Sequence, residues 1–116
     1  ATEPRVWRTP MTRSVADTMV QLMIGVVNGP NGTAQGRFHL PDGVQAAAKT
    51  GTAQLNPLGQ KQRSHAWIAA FAPASAPQMV VVVMFKGVND VISATTGGRL
   101  AGPIADQLLG YALQHP

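Results

Sequence analysis

Lys49, Thr50, Gly51 and Thr52 stand together in the stretch AAAKTGTAQ, residues 46–54. An ammonium and two hydroxyls this close can grip a carboxylate, because the charge pairs with it and the hydroxyls donate to it. On a β-strand, alternation puts Thr50 and Thr52 on one face and Lys49 on the other, and the long lysine stem can bring its ammonium back to the same spot. Gly51 has no Cβ, so another backbone can approach the strand there. Ammonium, hydroxyls and an open strand edge describe a receptor for an extended peptide that ends in a carboxylate. A solvated strand whose lysine snorkels to water would carry the same triplet, so the surrounding residues must decide.

Phosphate binding is the competing chemistry. GVQAAAKT, residues 43–50, departs from G-x-x-x-x-G-K-[ST] only at Ala48, which stands where the second glycine belongs. That loop needs a strand before it and a helix beginning at the lysine, so that backbone N–H groups can cradle the phosphates. HLPDG precedes the stretch and GTAQLNPLG follows it, and neither suits. Ala48 also removes the backbone freedom a glycine would supply. The nucleotide-binding reading is therefore the weaker one. His39, His65 and His115 are too far apart for a local metal motif, and there is no cysteine. No metal site and no cofactor is expected.

The elements that must carry these residues follow from the apolar pattern. In TRSVADTMVQLMIGVVN (12–28), Val15, Met19, Leu22 and Val26 recur at helical spacing and mark one face of a helix, with Thr12 or Ser14 as its cap. Asn28, Gly29 and Pro30 end it, NGTAQG (31–36) is a loop and PDG (41–43) a turn. A strand is predicted from Val44 to Ala53, then a polar loop over 54–64. HAWIAAFA (65–72) and MVVVVMFKG (79–87) read as strands joined into an antiparallel hairpin. The second lacks polar alternation, so both of its faces should be buried. A last helix carries Leu100, Ile104, Leu108 and Tyr111 on its apolar face, with Pro103 in the first turn. The fold class is α+β: an antiparallel sheet flanked by helices. Two helices and two further strands can barely cover the fully apolar strand, which suggests that the sheet continues in chain not present here.

With 116 residues, 45% of them hydrophobic and 12% charged, the chain has the composition of one globular domain or part of one. The net charge of +4 is scattered, with no aromatic residues between the basic ones, so nucleic-acid binding is not expected. The densest apolar run has the length of a strand, not of a bilayer span.

KTGTA on a strand, HAWIAAFAP as the next strand, NGTAQG after an amphipathic helix, and TTGGRLAGPI leading into a last helix resemble, in that order, the C-terminal part of a penicillin-binding protein transpeptidase domain. The stretch HAWIAAFAPASAPQMVVVVM is most similar to class B enzymes of actinobacterial type. The resemblance spans nearly the whole chain and implies acyl transfer at an active-site serine, using the motifs S-x-x-K, S-x-N and K-[ST]-G. Only the third is here: none of Ser14, Ser64, Ser75 and Ser93 has lysine three positions on or asparagine two positions on. Residues 1–116 are thus expected to be the C-terminal segment of one transpeptidase domain, with the nucleophile in an upstream part of that domain.

By the same resemblance Lys49 and Thr50 anchor the terminal carboxylate of a peptidoglycan stem peptide ending in D-Ala-D-Ala, or that of a β-lactam. Gly51 and Thr52 complete the binding strand, and the backbone N–H of Thr52 supplies half of the oxyanion hole. Such a donor contributes about 3 kcal/mol of transition-state stabilisation. Ala48 stands where the family usually has glycine. Thr33 is read as fixing a turn against the sheet, and Trp67 as core that can pack beneath the Lys-Thr-Gly strand. The implied setting is outside the cytoplasmic membrane, anchored through a segment absent from this chain. D,D-carboxypeptidase, β-lactamase and β-lactam sensor share the fold and remain open beside transpeptidase. A non-catalytic peptide-binding module would be favoured if the complete protein lacked the serine motif.

Overall fold

The computed structural model describes residue 3 and residues 5–115. Helix α1 (Arg13–Asn28) is followed by a single 3₁₀ turn at Pro41–Gly43 and by strands β1 (Ala47–Gln54), β2 (Ser64–Ala72) and β3 (Met79–Phe85). Two one-turn helices, α2 (Asp90–Ser93) and α3 (Gly97–Leu100), precede α4 (Gly102–Gln114). The strands lie in the order β1-β2-β3 and every pairing is antiparallel. The α+β architecture and the β2–β3 hairpin are as expected, whereas Leu100, expected on the last helix, ends the separate short helix α3.

Local chemistry accounts for the boundaries. Thr12 caps α1, its hydroxyl accepting from the N–H of Val15 at 3.4 Å. At the other end the chain folds back over the helix: the N–H of Gly29 bonds Gly25 O, and that of Ala34 bonds Val26 O at 3.0 Å. The NGTAQG segment is therefore the C-terminal cap of α1. Pro103 lies in the first turn of α4, where its missing N–H has no helical partner to lose. The N–H of His39 donates to Asp106 at 2.8 Å and ties the segment after α1 to α4.

Register divides the sheet into two faces. Ala48, Thr50 and Thr52 share one with Ala70, Ile68 and Ala66, and with Val81, Val83 and Phe85. This face carries the core, where Ala48, Ile68 and Ala70 pack with Ala101, Ala105 and Leu109 from the C-terminal helical region. Lys49 and Gly51 share the opposite face with Ala69 and Trp67 and with Val82 and Met84.

Burial chooses among the apolar positions of both helices, and it corrects the expectation for β3. In α1 it is Val27 that is buried, with Ala16, Val20, Met23, Ile24 and Val26 half-buried, while Val15, Met19 and Leu22 are exposed. In α4 the core positions are Ala105 and Leu109, with Ala101 just before the helix, while Ile104, Leu108 and Tyr111 are exposed. The apolar arc of each helix is wider than the stripe that meets this sheet, so spacing alone does not say which positions are buried, and in α4 close packing selected Ala105 and Leu109. In β3 only Val81, Val83 and Phe85 turn toward the core; Val82 on the other face is 67% exposed, because no layer of the described residues covers it.

Candidate anion-binding site

The core alanines let the helices approach closely, and that closeness builds the site on β1. β1 is an outer strand of the sheet, so one edge is unpaired among the described residues. Thr50 lies opposite Ile68 and faces the core side, 9% exposed. Its hydroxyl is 2.6 Å from that of Thr33, which the folded-back cap of α1 holds beside the strand. Thr52, two residues on, is exposed.

Lys49 is exposed, and its stem curls along the strand so that the ammonium donates to the carbonyl oxygen of Thr50 at 2.6 Å. Two of its three protons remain for other acceptors. Among the described residues Lys49 has no carboxylate partner. A cleft of about 400 Å³ opens beside it, between the end of α1 and the strand, lined by Val26, Gly29, Asn31, Gly32, Thr33 and Lys49 among others. A cation with spare donors at the wall of a cleft is a candidate anion site.

The space over Gly51 is filled by a side chain, where the sequence suggested an approaching backbone. The indole of Trp67 lies against Gly51, so that a Cβ there would collide with the ring. Gly97 and Gly98 bring α3 onto the same stretch: a Cβ on Gly98 would collide with the carbonyl oxygen of Thr33 and come within 3.2 Å of Thr50 Cγ2. Sequence reasoning named Lys49, Thr50, Gly51 and Thr52, which the strand keeps together. It did not find the Thr33–Thr50 pair or the part played by the glycine pair. The signal was available only as NGTAQG and TTGGRL, whose nearness in space nothing local reveals.

Beyond the strand, the loop 55–63 is braced internally. Leu55 N–H bonds Arg63 O at 2.8 Å, the Asn56 amide reaches Lys61 O, and Gln62 Nε2 donates to Pro57 O at 3.0 Å. Lys61 Nζ then pairs with Asp90 at 2.6 Å, at the start of α2, with Arg63 Nη1 3.1 Å from the other carboxylate oxygen. The Arg63 contact is ionic and not an aligned hydrogen bond. The hydrogen bond from Lys61 holds the Asp90 carboxyl below its ordinary range; desolvation opposes it, and the charges of Lys61 and Arg63 each add a smaller lowering effect.

Lys49 sits in the middle of β1, with strand on both sides. A phosphate-binding loop would need a helix starting there, so that reading is excluded. Among the described residues no three His, Asp or Glu side chains gather as a metal site requires.

Residues 1–110 match the family model described as the penicillin binding protein transpeptidase domain. The chain is 40% identical over 107 residues to the peptidoglycan D,D-transpeptidase PbpA of Mycobacterium tuberculosis, covering 92% of this chain and 21% of that protein. With PbpA of Mycolicibacterium smegmatis the identity is 36% over 115 residues, covering 97% and 22%. The structure of penicillin-binding protein A from M. tuberculosis as a ceftriaxone acyl-enzyme complex superposes with a TM-score of 0.75 at 38% identity, over 93% of this chain and 23% of that one. The chain thus spans about a fifth of the length of the relatives it matches.

Proposed function

Since the chain belongs to the penicillin-binding protein transpeptidase family, we propose that it is the substrate-anchoring segment of a D,D-transpeptidase that cross-links peptidoglycan and is acylated by β-lactams. One observation carries the proposal. Lys49 presents an ammonium with spare donors beside a cleft, on an outer strand that also bears Thr50 and Thr52. In this role Lys49 pairs with the terminal carboxylate of a D-Ala-D-Ala stem peptide or of a β-lactam, and the threonine hydroxyls share that charge. The peptide runs along the free edge of β1, and the backbone N–H of Thr52 donates to the oxyanion that develops as the acyl bond is attacked.

The nucleophile comes from the upstream part of the same domain, since no serine of this chain lies in the required motif. That part also covers the sheet face bearing Val80, Val82 and Met84, which is strongly exposed here. Burying so much apolar area ties the two parts into one domain. A protein that works on peptidoglycan must stand outside the cytoplasmic membrane, held there by a segment beyond these residues. No helix among the described residues is long and apolar enough to cross a bilayer.

The test is intact mass of the complete protein under denaturing conditions after incubation with penicillin G. The expected product is one penicillin adduct on a serine followed three residues later by lysine, and no adduct within residues 1–116. A complete protein that carries that motif but takes up no penicillin would overturn the reading.

A further inference from the structure

We propose that His65 is a positioning residue for the backbone N–H of Thr52, and that it acts only while its ring is neutral. The inference rests on the reading of Thr52 as an oxyanion donor and extends it to a residue outside the Lys-Thr-Gly motif. The Leu55 N–H bonds Arg63 O at 2.8 Å, one step beyond the pairing of Gln54 with Ser64. Hydrogen-bonded and non-bonded pairs alternate along an antiparallel ladder, so Ala53–His65 and Gly51–Trp67 are bonded pairs. Thr52 lies between them and turns its N–H to the outer edge of β1, as an oxyanion donor must. Of the two pairs that fix it, Ala53–His65 is the one next to the loop 55–63.

The ladder that should hold His65 from its other side stops short. Ala66 pairs with Phe85, so the next bonded pair would be Ser64 with Gly87, but β3 ends at Phe85. Side chains supply the missing bonds. The Gly87 N–H donates to His65 Nδ1 at 3.0 Å, and the Ser64 N–H donates to Ser93 Oγ of α2 at 3.3 Å. Gly87 is buried, and a Cβ there would collide with Ser64 O, so its N–H has to find its acceptor within this packing.

An accepting Nδ1 carries no proton, so the single proton of the ring is on Nε2. A second proton would sit on Nδ1 and face the Gly87 N–H, donor against donor. Imidazole is the side chain that changes charge between pH 5 and pH 8. The charged groups on the elements around it are Lys49 of β1, Lys86 before Gly87, Asp90 of α2, and Lys61 and Arg63 of the loop. Arg99 and Asp106 belong to α3 and α4, which pack on the core face, whereas His65 shares the face of Lys49 and Trp67. None of the ion pairs among the described residues includes His65.

The experiment follows acylation of the complete protein by penicillin G in stopped flow from pH 8 to pH 5. It separates the dissociation constant of the first complex from the rate constant of acylation. At pH 8, His65→Ala should lower that rate constant about 10-fold to 100-fold, the loss expected for a misplaced oxyanion donor. The dissociation constant should hold, because the carboxylate anchor is untouched and the oxyanion exists only in the transition state. His65→Asn should restore most of the rate, since its amide oxygen can accept from Gly87 in place of Nδ1. As the pH falls, the parent should slow relative to His65→Asn and approach His65→Ala. The ratio of parent to His65→Asn cancels the titration of the nucleophile and its base.

A His65→Ala variant as fast as the parent would overturn the proposal, and so would a ratio of parent to His65→Asn that stays flat from pH 8 to pH 5. A loss confined to the melting temperature would make His65 purely structural and overturn it too. If the parent protein is not acylated at all, the functional reading fails first and the role of His65 falls with it.

Discussion

Lys49→Ala leaves β1 intact, because the side chain is exposed and its ammonium bonds only a backbone carbonyl of the neighbouring residue. The expected outcome is an unchanged melting temperature for the complete protein and a roughly 10-fold to 100-fold slower reaction with penicillin G, from loss of a charge-assisted contact. Stopped-flow acylation beside a thermal melt separates the two. Asp90 offers a test by pH. Its carboxyl is held below the ordinary range chiefly by the Lys61 hydrogen bond, so folding is favoured above the unfolded-state value and the gain disappears as pH falls through the folded one. Asp90→Asn should therefore lower stability at neutral pH, with the difference from the parent closing below about pH 4. Melts from pH 7 to pH 3 would show it, and added salt should shrink the neutral-pH gap because the pair is exposed. A gap that does not shrink at all between pH 5 and pH 3 would mean that charge is not what Asp90 supplies. The motif residues could be found from type and spacing because a strand keeps neighbours in sequence neighbours in space. The Thr33–Thr50 bond joins residues 17 apart and could not.

α1, β3 and α4 carry more apolar surface than one sheet face can hide. Their positions were readable from periodicity and from turn residues such as Pro73 and Pro77, while the buried stripes of α1 and α4 were not. Val15, Met19, Leu22 and Val26 have regular helical spacing, yet from α1 only Val27, with Val26 beside it, joins the core. Likewise Leu109 with two alanines displaced Ile104 and Leu108, since small residues permit the close approach that large ones prevent. The unbroken run in β3 did foretell two apolar faces, and only one of them is covered here. Val82→Lys should separate the two states. In the chain alone it should reduce self-association, read by sedimentation, because the exposed face is an aggregation hazard. In the complete protein it should lower the melting temperature, since a charge would then be buried against the upstream part. A complete protein indifferent to Val82→Lys would show that nothing covers this face.

Ile68 and Leu109 are the only large side chains fully buried among the described residues, and the rest of the core is mostly alanine. So thin a core gives little burial to offset the entropy of ordering the chain. Residues 1–116 expressed alone should unfold with low cooperativity, and co-expression with the remainder of the protein should sharpen the transition. The fold class could be inferred from the order helix, strands, helix. That the sheet gathers its helices mainly on one face is a property of the assembled layers and not of any segment. The packing of Trp67 on Gly51 gives the molecule an optical handle. The chain has two tryptophans, and Trp7 is 84% exposed, so the blue part of this chain's indole emission belongs to the ring lying on the anchor strand. With Trp7 replaced by phenylalanine, the wavelength of that emission would register each arrival and departure of a ligand at the strand, with no label attached.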